Sequence, residues 1–329
     1  MSEAVNLALY LKTIATQLTR YLSIFILLCG TIGNMLNIIV FTQRSLRSNP
    51  CSIFFLSSSI SSLFALFSGL ITRILATYQL DPTSKSPIQC KIRNFLMFST
   101  LTTSTWFIAF ASIDRYLVSS HNGRHRQLSN LKRTYYLVGI LTILSILICS
   151  EMFYCFEANL STPPSPVPCY SKNYPCRLYN DLTFAIIVVL IPCFIMSVFG
   201  YLTILNVRKL NLLVYVSSTQ NATRKLKRSD RQLIQMLLIQ VVLTTMLALP
   251  IAVQRLYATF TINLVKNQLQ LSIESFSYQI LLLLTFISMG IPFYLYLLTS
   301  TLFRHTLMDL FCKYSMHRTI STQKKSVST

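Results

Sequence analysis

The sequence predicts an all-α membrane protein, a seven-transmembrane helix bundle followed by a short amphipathic eighth helix, and three observations carry that prediction. Of the 329 residues, 53% are hydrophobic and only 12% charged, against roughly 25% charged in an average soluble domain. That excludes a soluble globular fold and disorder alike. Apolar runs recur at about 20–42, 52–78, 92–118, 134–156, 181–207, 231–258 and 273–300. At about 1.5 Å per residue, each is long enough to cross a hydrocarbon core of roughly 30 Å. Backbone amides in lipid must bond within their own segment, so these runs are read as helices rather than strands. The third observation is where the charge falls between them.

The net charge of +20 comes from 29 lysines and arginines against 9 acids. Nineteen of the bases lie in the 43–51 loop, from Arg115 to Arg133, from Arg208 to Arg231 and after Thr301. Eight lie in the alternate set: before residue 21, from Lys85 to Arg93, in 157–180 and in 259–272. Arg73 and Arg255 lie within spans. The positive-inside rule then places the N-terminus outside and the C-terminus inside a plasma membrane. The expected division is an extracellular stretch at 1–19, the seven-span domain at 20–300, an amphipathic helix at 301–312 and a disordered cytoplasmic tail at 313–329. The first apolar run is long enough to stay in the protein, so no cleavable signal is expected. Bases clustered between apolar runs, rather than along one face, argue against nucleic acid as a partner. Nine cysteines without short metal-type spacing and four histidines give no expectation of a metal or cofactor.

The loops follow the same orientation. The 157–180 connection holds Pro163, Pro164, Pro166, Pro168 and Pro175, which cannot continue a helix and favour extended chain. It also carries Asn159-Leu160-Ser161, a glycosylation acceptor on the outer side. The triplet Asn221-Ala222-Thr223 falls on the inner side and is expected to be silent.

Segment 3 ends in Asp114-Arg115-Tyr116, and Cys90 lies 25 residues before Arg115, about 37 Å along a helix. The two features therefore mark opposite ends of one span. At this point the chain resembles the rhodopsin-like family of G-protein-coupled receptors, which carry an outer cysteine at the head of helix 3 and an Asp-Arg-Tyr triplet at its inner end. Gly33-Asn34 resembles that family's helix 1 asparagine motif, and Pro192, Pro250 and Pro292 resemble its kinking prolines in helices 5, 6 and 7. Phe303-Arg304, Leu307 and Cys312 resemble its eighth helix and palmitoylated cysteine.

The resemblance implies a receptor that binds an extracellular ligand and activates a heterotrimeric G protein through outward movement of helix 6. It also implies that Arg115 pairs at rest with Asp114 and with Asp230, which opens segment 6 twenty residues before Pro250. Cys90 needs an outer partner, Cys169 or Cys176, with Cys169 preferred; the remaining cysteine is matched to Cys155. Cys29, Cys149 and Cys193 lie within spans and read as small packing residues. Thr319, Ser321, Thr322, Ser326, Ser328 and Thr329 lie among tail lysines, where phosphorylation would attract an arrestin. Lys225, Lys227, Arg228 and Arg231 are placed to meet G protein or anionic membrane lipids.

The departures from the family pattern bear on function. Ser62 stands where helix 2 normally has an aspartate, which removes the carboxylate a core sodium ion would need. Ala248 stands where a tryptophan precedes the helix 6 proline, and helix 7 reads Gly290-Ile291-Pro292-Phe293-Tyr294-Leu295-Tyr296. Met97 occupies the position where aminergic members hold an ammonium-binding aspartate, so a monoamine is not expected. Arg73 and Arg255 sit in outer halves of spans beside the acids Glu151, Asp181 and Glu274. Ionisable groups there mark functional sites by default, although mutual pairing such as Arg255 with Glu274 is the structural alternative. A short peptide bearing charge and apolar surface is the expected ligand. Its expected pocket adds Asn94, Met97, Phe98 and Leu101 from helix 3, Phe184 from helix 5, Ile251 and Gln254 from helix 6, and Tyr278 and Leu281 from helix 7.

A channel or transporter is the main rival class. It would call for acids, glycines or broken helices near the bilayer midplane, and the seven glycines here are scattered. An enzyme is not expected, since no His-Glu-x-x-His, Gly-x-Ser-x-Gly or mid-span aspartate pair is present.

Overall fold

The computed structural model describes residues 2–120, 122–158, 169–216, 228–301 and 303–310. Seven of its helices are long and apolar enough to cross a membrane. They are α1 (Ser2–Phe41), α2 (Pro50–Thr77), α3 (Pro87–Ser119), α4 (Leu131–Cys149), α5, α6 (Arg228–Phe260) and α7 (Gln268–Gly290). The fifth is composite, with α-helix at Tyr174–Thr183, a π-helical stretch at Phe184–Leu190 and α-helix again at Ile191–Val216. A short helix α8 follows at 303–310.

Local chemistry sets most of the starts. Asn49 accepts from the Cys51 N–H at α2, Asn130 from Lys132 at α4 and Asn173 from Cys176 at α5. Proline occupies the first turn of α2, α3 and α5, where a missing N–H costs nothing.

Three details differ from the sequence reading. First, α1 begins at Ser2 instead of near residue 20, so the helix runs back through 2–19. No proline or glycine interrupts the chain before Gly30, and Ala8, Ala15 and Thr19 bury one face of the extension. Second, α4 breaks after Cys149 and resumes for the single turn Met152–Cys155, so the fourth span keeps its expected extent, Leu131–Cys155, with an interruption inside it. Third, α7 ends at Gly290 and restarts as Pro292–Thr299, because Pro292 cannot donate to the helical ladder. The π-helical stretch of α5 was also unforeseen. It ends just before Pro192, and its Ile187 carbonyl accepts the Trp106 indole N–H at 3.0 Å.

The helix α3 lies at the centre, packed against α2, α4 and α5, while α1 lies against α2 and α7. The α1–α7 contact is close because glycines meet. A Cβ on Gly290 would lie 3.1 Å from the Gly30 Cα. Beside it the Asn34 amide donates to Gly30 O at 2.9 Å and Met289 O at 3.0 Å, tying α1 to α7. Large apolar side chains such as Phe25, Tyr136, Phe194 and Met246 face outward, the surface expected of a protein solvated by lipid.

At one end of the bundle, here called the disulfide end, Phe156–Glu157 (β1) pairs antiparallel with Tyr170–Ser171 (β2). Two disulfides pin this hairpin, Cys90–Cys169 to the head of α3 and Cys155–Cys176 to the head of α5. At the other end α8 is two-sided. Phe303 and Thr306 are buried, while Arg304, Met308 and Asp309 are exposed. The Asn159 and Asn221 acceptors, Lys225, Lys227, Cys312 and the tail hydroxyls lie outside the described residues.

Candidate functional sites at the two ends of the bundle

At the α8 end, Arg115 is fully buried and its charge is met from three helices. Its guanidinium contacts the Asp114 carboxylate at 2.6 Å, the Asp230 carboxylate at 2.9 Å and the Asn49 side-chain oxygen at 2.8 Å. A buried guanidinium is costly unless paired and hydrogen-bonded, and each contact here lowers that cost. Asn49 does more than cap α2, since its amide also donates to Asp230 at 3.1 Å. Asp114 in turn accepts from the Ser129 hydroxyl at 2.5 Å. Tyr116 packs its ring against Phe199 of α5, with centroids 5.3 Å apart. The network thus joins α2, α3 and α6 through one arginine. Sequence reasoning missed Asn49 and Ser129. Only the Asn-Pro pair that opens α2 hinted at the first, and that signal speaks of capping.

Midway along the bundle lies a cavity of about 380 Å³ of empty space, counting its open part, lined among others by Asn34, Ser58, Ser62, Ser104, Gln240 and Tyr296. Ser104 bonds both Ser58, at 2.9 Å, and Ser62, at 2.8 Å. The described lining carries no acid. The Tyr296 hydroxyl donates to Gln240 and so ties the Pro292–Thr299 turn to α6, while Tyr294 donates to Cys29 O at 3.1 Å.

At the disulfide end the hairpin roofs a larger cavity, about 630 Å³ of empty space counting its mouth. Of the expected pocket residues, Arg73, Asn94, Met97, Phe98, Leu101, Phe184, Arg255 and Tyr278 line it. Asp181, Ile251, Gln254, Glu274 and Leu281 lie outside that lining. Leu282 lines it in place of Leu281, because one residue of helix turns a side chain by about 100°. Ile251 is buried one turn below Arg255, and Gln254 turns aside to donate to the Glu274 carbonyl at 3.4 Å.

The pairing of Arg255 with Glu274 is also corrected. Arg255 donates to Asp181 at 2.7 Å, and Glu274 pairs with Lys266 at 2.7 Å. Asp181 sits behind Arg255, fully buried, and also accepts from the Thr259 hydroxyl. Arg177 completes this group, donating to Thr259 at 3.1 Å and approaching Asp181 at 3.9 Å. The Arg255 guanidinium lies over the Phe184 ring at 4.5 Å and the Phe98 ring at 5.2 Å. Burial and the nearby Asp181 charge hold the Tyr170 phenol above its ordinary range, so it remains a neutral lining group. Arg93 was not anticipated as a pocket residue. It was read as a base flanking segment 3, and only the helix register turns it toward Arg73.

A helix bundle of this design, with a ligand-sized cavity at one end and a buried ion-paired arginine at the other, defines a class of seven-span membrane receptors. The family model described as 7 transmembrane receptor (rhodopsin family) matches residues 33–293, and the chain belongs to that family. As a member it is a multi-pass protein of the plasma membrane.

It is 25% identical over 249 residues, or 73% of its length, to neuromedin-U receptor 2 from Homo sapiens. It is 30% identical over 184 residues, or 55% of its length, to melatonin receptor type 1B-B from Danio rerio. The corresponding figures for galanin receptor type 2 from Rattus norvegicus are 26% over 206 residues and 62%. The matched stretches span 58%, 51% and 54% of those relatives.

Proposed function

We propose that the chain is a cell-surface receptor with its N-terminus outside, which binds a peptide in the disulfide-end cavity and activates heterotrimeric G proteins at the Arg115 end. One observation carries this reading: Arg115 of α3 is buried at 2.9 Å from Asp230 of α6, at the far end of the bundle from a roofed cavity. A pair that spans two helices exists only while they stay together. A ligand that favours separated helices would release it, shifting a population rather than building a new structure.

The orientation rests on the bias of basic residues toward the Arg115 end and on disulfides at the other end, which form in an oxidising compartment. A peptide ligand is supported by the neuromedin-U and galanin receptor relatives and by a cavity that combines arginines with aromatic walls. Arrestin recruitment by a phosphorylated tail and contact of the basic α5–α6 connection with anionic lipid belong to the same reading.

The test is nucleotide exchange on a panel of purified G proteins, with the chain in nanodiscs and a neuropeptide library added. Exchange driven by a library peptide is the expected result. Ion or solute flux through the chain in liposomes, with no exchange on any G protein, would overturn the reading in favour of a channel or transporter.

A further inference from the structure

Among the described residues three arginines line the disulfide-end cavity, and of these one is ion-paired with an acid. Arg255 is matched by Asp181 at 2.7 Å. Arg73 and Arg93 form no ion pair among the described residues, and their like charges act on one another. The Nε of Arg73 is buried without a hydrogen-bond partner, and Arg93 reaches only the Ser68 carbonyl, at 3.3 Å. Asp81 is the acid whose field reaches both, but its carboxylate accepts from the Thr83 N–H at 3.0 Å and the Thr83 hydroxyl at 2.8 Å and makes no ion pair with either arginine among the described residues. Tyr278 gives the Arg73 side chain a neutral hydrogen-bond partner, which does not balance its charge. Below this charged rim the walls turn apolar, with Met97, Phe98, Leu282 and Phe286.

Two guanidiniums facing one partly desolvated space without a directly ion-paired acid destabilise the empty protein. Strain of that kind persists where an incoming group relieves it. Because the guanidinium fork matches the two oxygens of a carboxylate in one plane, the missing group is identified by its geometry as well as its charge.

We propose that Arg73 and Arg93 together clamp a free carboxylate of the extracellular ligand, whose apolar portion fills the chamber beneath them. Arg255, already neutralised by Asp181, forms a wall and is not part of the clamp. This rests on the ligand-binding reading above and narrows it to one ligand chemistry. The carboxylate is either the free C-terminus of a peptide or the head of a fatty acid.

The full chain in phosphatidylcholine nanodiscs is titrated with two matched pairs of probes. One pair is N-acetyl-Phe-Leu-Phe as the acid and as its C-terminal amide; the other is dodecanoate and dodecanamide. Within one pair the acid is expected to bind at least about tenfold tighter than the amide. In Arg73→Gln and in Arg93→Gln that preference is expected to fall to roughly threefold or less. Which pair responds separates a peptide terminus from a fatty acid. A second measurement needs no ligand: both variants, when empty, are expected to melt at or above the wild-type temperature, because a like-charge repulsion is gone.

Equal binding of acid and amide in both pairs would overturn the proposal. So would failure of either acid to bind at millimolar concentration, or a preference that survives both substitutions. Binding is read without G protein, so the two readings fail separately. An intact acid preference with no nucleotide exchange sinks the receptor reading, whereas an exchange-driving ligand indifferent to Arg73 and Arg93 sinks the clamp.

Discussion

Replacing Asp230 with alanine removes one of the two carboxylates that neutralise Arg115, and its effect follows from the contact geometry. Arg115 keeps Asp114 at 2.6 Å and Asn49 at 2.8 Å, so the change does not strand a buried charge, for which about 3–5 kcal/mol would be the scale. It removes the charge-assisted 2.9 Å contact of Arg115 with a carboxylate whose side chain is 16% exposed, worth about 1.5–3 kcal/mol, and with it the weaker 3.1 Å bond from the Asn49 amide to the same carboxylate. That loss falls on the closed arrangement alone, since the bond needs α6 beside α3. Each ~1.4 kcal/mol is a factor of ten, so the ratio of open to closed should rise roughly 10- to 100-fold. A receptor about 1% open at rest would then be between about 10% and 50% open.

The assay is agonist-free binding of a non-hydrolysable GTP analogue in membranes with matched receptor density. Lys266→Ala, which breaks the 2.7 Å pair with Glu274 at the other end, is the control and should change nothing. Asn49→Ser keeps a capping oxygen at α2 but is too short to bridge Arg115 and Asp230, so it should give a smaller rise in the same direction. Basal exchange equal to wild type in Asp230→Ala, with a normal agonist response, would show that the Arg115–Asp230 pair does not hold the resting state.

Three further outcomes are expected. Asp181→Ala leaves Arg255 buried without its acid and should lower stability by about 3–5 kcal/mol, whereas the apolar pair Asp181→Leu with Arg255→Met should recover most of it; thermal melting in detergent reads both. Joint replacement of Cys155 and Cys176 by alanine should leave the chain inserted but lower its melting temperature, at a cost on the order of 2–4 kcal/mol, and peptide mapping without reduction should recover a Cys155–Cys176 cross-link from the wild type only. Gly290→Val places methyl groups where a Cβ alone already comes within 3.1 Å of the Gly30 Cα. It should part α1 from α7 at a cost of about 1–3 kcal/mol, read as a lower melting temperature with Gly139→Val as a neutral control, since nothing lies within 4 Å of a Cβ there.

The sequence by itself determined the number of spans, their helical character and the end of the bundle at which Arg115 sits. Those features depend on quantities that run along the chain. Span length is set by the hydrocarbon thickness, and backbone amides in lipid leave helix as the local solution. The distance from Cys90 to Arg115 is a count multiplied by a rise. Boundaries were less legible, because the start of α1 depends on a buried face of Ala8, Ala15 and Thr19 that composition does not mark.

Only the tertiary structure decided which charges meet. Arg255 had Glu151, Asp181 and Glu274 within plausible reach, and the rotation of α5 relative to α6 gives it Asp181, 74 residues away, while Glu274 turns to Lys266. Asn49 enters the Arg115 network, and Arg93 faces Arg73, for the same reason. An ion pair depends on the azimuth of each helix to within a fraction of a turn, and that angle is fixed by packing of side chains from other helices, such as the close meeting of Gly30 with Gly290. One residue of error rotates a side chain by about 100°, enough to exchange Leu281 for Leu282 in the cavity wall or to move an arginine from the surface to the ligand.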